Sequence, residues 1–160
     1  MNNRHNRSVS KQNFQHASLL VVEDSDDHWH LISMALMQAL PEVKTVRAAT
    51  ADEASTYLHN CLLDGNELPK LILMDLYIPD REDAWHLLQE IKQPDSSFKQ
   101  VPVVILSYSD DLEDITESYF YGSTSYVTKP INIQGWQEYF QMLRTYWWET
   151  VTLPSDRFMM

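Results

Sequence analysis

Short apolar runs recur along the chain, and each one ends in a polar or charged residue. Leu19-Leu20-Val21-Val22 runs into Glu23-Asp24, and Leu71-Ile72-Leu73-Met74 runs into Asp75. Val101-Pro102-Val103-Val104-Ile105-Leu106 leads to Ser107, and the more polar Ser125-Tyr126-Val127-Thr128 leads to Lys129-Pro130. Unbroken apolar runs of this length predict strands buried on both faces, as in parallel sheets. Val43 to Ala48 is a fifth, more polar run suited to a sheet edge.

Between these runs the apolar spacing changes to the helical period. Ser25 or Asp26 caps a helix with the pairs Leu31/Ile32, Ala35/Leu36 and Ala39/Leu40, stopped by Pro41. Thr50 caps a second helix, in which Ala54, Tyr57, Leu58, Cys61 and Leu62 share a face, and Asp64-Gly65-Asn66 closes it. A third runs through Trp85, Leu88 and Ile91 and breaks near Pro94. The fourth spans about Asp110 to Tyr121, with Gly122 as a left-handed cap. A final helix from about Asn132 to Trp148 has Ile133, Trp136, Phe140, Leu143 and Trp147 on its core face. Five strand–helix pairs in alternation predict an α/β fold: a doubly wound, five-stranded parallel sheet with helices on both faces.

Composition narrows the function classes. No run reaches the roughly 18 apolar residues that read as a membrane span, and Met1-Asn2-Asn3-Arg4 has no apolar signal core. A single cysteine excludes an internal disulfide, and these features together favour the cytoplasm. The net charge is -11; residues 1–17 carry +3 through Arg4, Arg7 and Lys11, so the rest carries -14. That acidic body opposes direct nucleic-acid binding. Residues 1–17 read as a disordered tail, 18–148 as the folded domain and 149–160 as a carboxyl-terminal extension.

In a parallel sheet all strand carboxyl ends share one edge, where ligands bind. Glu23, Asp24, Asp75, Ser107 and Lys129 therefore converge. Three carboxylates on one edge need neutralisation, and an oxygen-rich set with no Cys or His beside it suits Mg²⁺. Lys129 offers a point charge for a phosphoryl oxygen, and Ser107 a hydroxyl.

Glu23-Asp24, Asp75, Ser107, Tyr126 and Lys129-Pro130, each at a strand end or in the last strand, together resemble the response regulator receiver domain of two-component signalling. The resemblance implies a flavodoxin-like (βα)5 fold and Asp75 as phosphoacceptor from a histidine kinase. It implies Mg²⁺ held by Asp24, Asp75 and the Tyr77 backbone carbonyl, with Glu23 acting through water. It implies Ser107 and Tyr126 as a switch pair, Lys129 on the phosphoryl group, and a cis bond before Pro130. The long stretch from Asn60 to Pro69 and the ending from Tyr146 to Pro154 are similar to the small receivers paired with bacterial phytochrome kinases.

Two positions depart from the family pattern. Asp83 stands where glycine is usual and is expected to strain its loop, and Tyr108 is bulky where a small residue is usual. Tyr139, Met142 and Tyr146, with Tyr119-Phe120-Tyr121, predict a homodimer through the fourth helix, fifth strand and fifth helix. The chain stops about a dozen residues beyond the fifth helix, so output is expected through protein contacts. A phosphate-independent adaptor is the alternative. A hydrolase is disfavoured because Tyr77 occupies the place where such enzymes carry an acid, so a signalling protein rather than an enzyme is expected.

Overall fold

Alternation of side chains along each strand divides the core in two. The computed structural model describes residues 12–153. Five parallel strands, β1 (Ser18–Val22), β2 (Lys44–Ala48), β3 (Leu71–Asp75), β4 (Val103–Ser107) and β5 (Ser125–Thr128), form one sheet in the order β2-β1-β3-β4-β5. The helices between them are α1 (Asp26–Ala39), α2 (Ala51–Leu63), α3 (Arg81–Lys92), α4 (Leu112–Phe120) and α5 (Ile133–Leu143). Leu20, Val22, Ile72, Met74, Val103 and Ile105 face α2 and α3. Their neighbours Leu19, Val21, Leu71, Leu73, Val104 and Leu106 face α1 and α5. A period of two feeding both faces explains why β1, β3 and β4 are unbroken apolar runs. The polar run falls at the β2 edge, as its composition predicts.

The caps form as the sequence predicts. Ser25 Oγ accepts from the His28 backbone N–H at 3.3 Å, and Thr50 Oγ1 from that of Glu53 at 3.1 Å. Gly122 has φ +105°, and the chain closes α4 with Gly122 N–H donating to Tyr119 C=O and Ser123 N–H to Ser118 C=O. A left-handed residue between these two bonds is the usual glycine helix stop. Cys61 is buried, but Leu62 turns outward. Among the described residues no helix is long and apolar enough to cross a membrane.

Two expectations need correction. The final helix does not keep one period to Trp148: after Leu143 it becomes a π-helical turn over Arg144–Thr150. With five residues rather than four per hydrogen-bonded turn, the buried face passes from Leu143 to Trp148, and Trp147 is only partly buried. Ile133, expected in the core, is exposed at the helix start. The second correction concerns residues 12–17, expected within the disordered tail. Asn13 is buried and clasps the other end of the chain. Its Nδ2 donates to the carbonyls of Trp148 (3.1 Å) and Val151 (2.6 Å), and its Oδ1 accepts from the Leu153 N–H at 3.2 Å. The polar residue is retained because it satisfies backbone groups that the π-helical end leaves open. Residues 1–11 and 154–160 lie outside the described residues.

Candidate functional site

Strand register sets the site. Val22 is level with Met74 and Asp75 with Leu106, so Glu23, Asp75 and Ser107 leave their strands side by side. Thr128 pairs with Ser107, so Lys129 follows one step beyond, its N–H donating to the Ser107 carbonyl at 2.8 Å. Glu23, Asp75, Ser107 and Lys129 are all buried. Lys129 Nζ donates to Glu23 Oε2 at 2.8 Å and to Asp75 Oδ2 at 3.0 Å. The Tyr77 backbone N–H donates to Asp75 Oδ1 at 3.3 Å, and that of Ser25 to Glu23 Oε1 at 3.2 Å.

Charge balance in this cluster follows from burial. Burial pushes the Asp75 carboxyl up to about 6; Lys129 opposes the shift and the Glu23 charge reinforces it. Burial alone would lower the Lys129 ammonium, but Asp75 and Glu23 outweigh it and hold the group above its ordinary value. Lys129 is therefore a fixed cation between two acids, one of which is poorly stabilised as an anion.

Four sequence expectations change here. Asp24 is exposed and lies outside the converging group, because the chain turns outward after Glu23 into the α1 cap. His28 enters instead: Glu23, His28 and Asp75 each bring a ligand atom within 4.8 Å of the others, so a histidine does stand beside the acids. Sequence reasoning passed over it as one polar residue in the first turn of a helix. The available signal was the Ser25 cap, which turns residue 28 back over the end of β1.

Lys129–Pro130 is trans, whereas the cis bond among the described residues is Ile78–Pro79. An X–Pro bond favours trans by only about 0.5–1 kcal/mol, so its surroundings choose the isomer and the dipeptide alone does not reveal it. Asp83 carries no left-handed strain, because it lies within α3 as its third residue. Its carboxylate accepts from the Asp80 N–H at 3.4 Å, an acid placed where a helix start favours one.

The loops around Asp75 are tied together by Asp114, a buried acid in the first turn of α4. It accepts from Ser109 Oγ at 2.7 Å, from Tyr77 Oη at 3.3 Å and from Arg81. Burial alone would raise its carboxyl, but these three donors hold it below its ordinary value. Tyr126 Oη donates to the Ser109 carbonyl at 2.7 Å, while Ser107 Oγ accepts from the Ser109 N–H at 3.0 Å. Ser107 and Tyr126 thus share Ser109 as a common partner. Tyr108 lies over the site, its ring 5.2 Å from Lys129 Nζ and edge-on to His28 at 5.4 Å between ring centroids.

A sequence profile described as the response regulator receiver domain matches residues 19–141. Response regulator Rcp1 of Synechocystis sp. is 32% identical over 139 residues, which cover 86% of this chain and 92% of Rcp1. Among solved structures, the phosphorylated cyanobacterial phytochrome response regulator RcpA superposes with a TM-score of 0.77 at 33% identity, covering 88% of this chain and 99% of RcpA. The Mn²⁺-bound form of Rcp1 superposes with a TM-score of 0.73 at 30% identity, covering 87% and 99%.

Proposed function

This chain belongs to the response regulator receiver family, and on that premise we propose a response regulator that takes a phosphoryl group onto Asp75 from a phytochrome-type histidine kinase. The observation that carries the reading is the Asp75 carboxylate itself. It is buried at a strand end, with one oxygen on the Lys129 ammonium at 3.0 Å and the other on the Tyr77 N–H. A carboxylate whose carboxyl is pushed up to about 6 is a more basic nucleophile than an ordinary one yet still ionised at neutral pH. In the transfer, an Asp75 oxygen forms the O–P bond as the donor's N–P bond breaks and the electron pair returns to the donor imidazole. Lys129 then exchanges Asp75 for a phosphoryl oxygen while keeping Glu23.

Asp75, Glu23 and the Tyr77 carbonyl would hold Mg²⁺, and Asp24, exposed in this structure, would have to turn inward to join them. Glu23 and Asp75 fit a cation, because the Lys129 ammonium already stands between them. When bound, the ion would neutralise charge on the acids and on the incoming phosphoryl oxygens. The phytochrome-type kinase rests on likeness to RcpA, a cyanobacterial phytochrome response regulator.

Output would pass through α4, β5 and α5, where a second copy of the chain would dock. Phe120 (81% exposed), Met142 (66%) and Tyr146 (56%) present apolar surface there. Tyr139, expected in the same stripe, instead packs against the core. The Tyr108 ring over Lys129 favours the second reading, an adaptor that needs no phosphate.

Incubation with Mg²⁺ and acetyl phosphate, followed by intact mass, separates the two. The receiver reading expects a gain of about 80 Da, one phosphoryl group, absent in Asp75→Asn. No adduct, or one that survives in Asp75→Asn, refutes it.

A further inference from the structure

His28 is the one group at the centre of the site that the proposed function leaves without a role. Its Nδ1 lies 3.1 Å from Lys129 Nζ and 3.5 Å from Glu23 Oε1. A lysine ammonium has only donors, so the shorter contact requires Nδ1 to face it as an acceptor, with its lone pair turned inward. That is the form of imidazole that binds metals. Lys129 Nζ therefore sits 2.8, 3.0 and 3.1 Å from one atom each of Glu23, Asp75 and His28, a cation at the focus of three ligands.

The geometry also suits a smaller cation at that focus. The three ligand atoms lie within 4.8 Å of one another. Ligands 2.8–3.1 Å from that focus must each move inward by about 0.7–1.0 Å to hold an ion at about 2.1 Å. Side-chain rotation toward the focus would supply that shift, with the ammonium drawing back from the focus while it keeps one Glu23 oxygen.

We propose that His28 is a direct ligand of the divalent cation at this site, making it a mixed nitrogen–oxygen centre that takes Mn²⁺, Co²⁺ and Zn²⁺ ahead of Mg²⁺. The inference rests on the reading that Glu23 and Asp75 hold a divalent ion, and it alters which ion. Imidazole nitrogen contributes strongly to binding of the later first-row metals, whereas Mg²⁺ prefers oxygen ligands and keeps its waters. Asp24, the acid expected to complete an all-oxygen set, is turned to solvent. Tyr108 stands against both His28 and Lys129 and screens the centre from water.

Pulsed electron paramagnetic resonance of the Mn²⁺-loaded full-length protein tests this directly. The expected result is a nitrogen coupling on the bound Mn²⁺ that changes when histidine is labelled with ¹⁵N and vanishes in His28→Ala. In parallel, calorimetric titration of His28→Ala should show Co²⁺ affinity reduced about 10-fold or more, since even an indirect partner of a metal ligand is worth 10–100-fold. Mg²⁺ affinity should fall less than about 3-fold, as expected for an ion that draws little on imidazole. His28→Asn, which keeps a polar group against Lys129, should show the same selectivity change. Mn²⁺ bound through Asp75 with no nitrogen coupling overturns the inference and leaves the phosphoacceptor reading intact. Mn²⁺ binding that is unchanged in Asp75→Ala overturns both. A nitrogen coupling in a protein that acetyl phosphate does not modify upholds the metal ligand and refutes the phosphoacceptor.

Discussion

Replacing Asp75 by asparagine removes a buried charge while keeping the side chain's shape, and its effect on stability follows from the linkage between burial and protonation. The Asp75 carboxyl moves from 3.8 to about 6 on folding, chiefly through burial. Between those values the folded chain holds a proton that the unfolded chain has lost, so stability falls as pH rises through that window. At about pH 5 this difference contributes about 1 kcal/mol to the wild type, and at about pH 8 it contributes nothing. Asparagine behaves as a permanently neutral group. The stability gap, variant minus wild type, should therefore grow by about 1 kcal/mol between about pH 5 and pH 8. By the same arithmetic the variant should be the more stable protein at pH 8, by up to about 3 kcal/mol. Lys129 keeps Glu23 at 2.8 Å in the variant, so its charge stays paired. Urea unfolding in excess EDTA, at the two pH values, measures the gap, and groups common to both proteins cancel. A gap that does not change with pH, or a variant less stable at pH 8, would refute the assignment of Asp75 as a strained buried anion. Excess divalent metal should then restore stability to the wild type and not to the variant.

Asp114→Ala strands the Ser109 and Tyr77 hydroxyls and should cost about 1–3 kcal/mol in urea unfolding, the part due to half-exposed Arg81 being small. Because its folded carboxyl is held low, that contribution is present above the ordinary aspartate range and disappears as pH falls through the folded value. Gly122→Ala should cost about 1–3 kcal/mol in the same assay, since φ is +105° and a Cβ would meet Lys92 Cγ at 2.9 Å; an unchanged midpoint would mean that the α4 end relaxes freely. Phe120→Glu combined with Tyr146→Glu places charge on the exposed aromatic surface and should convert a dimer to monomer in sedimentation velocity, with the thermal midpoint moved by less than a few degrees.

The sheet was legible because its signal is redundant. Each central strand is an apolar run closed by a functional residue, and parallel pairing brings all those ends to one edge. Glu23, Asp75, Ser107 and Lys129 were found that way. What escaped depended on angle rather than on pattern. His28 and Asp24 are both polar residues near one turn, and only the direction taken after the Ser25 cap sends one inward and the other out. Trp147 and Trp148 differ by one position, and a π-helical turn, which carries no distinct composition, decides which is buried. The family pattern predicts strain at Asp83, but here the chain is already helical from Arg81 and Asp83 is its third residue. Asn13 reads as a tail residue until the backbone groups it serves, some 135 residues away, are in place.

Ser109 explains how a change at Asp75 could reach the proposed output face without any long path. Its N–H is held by Ser107 Oγ, its Oγ by Asp114, and its carbonyl by Tyr126 Oη. Under the proposed function, Ser107 would turn its hydroxyl toward a phosphoryl group on Asp75. That rotation withdraws the acceptor from the Ser109 N–H, and the loop must shift to find another, since a buried unpaired donor costs about 1–3 kcal/mol. A shift of Ser109 moves the carbonyl that fixes Tyr126 and the hydroxyl that anchors α4. The two events would be two ends of one residue rather than separate signals, so the proposed switch pair would act as a trio with Ser109. Asp114 opposes the movement, because leaving Ser109 gives up one of the donors that stabilise its charge. Under the proposed function the threshold for switching would be set by the strength of the Asp114 cluster as much as by the phosphoryl group.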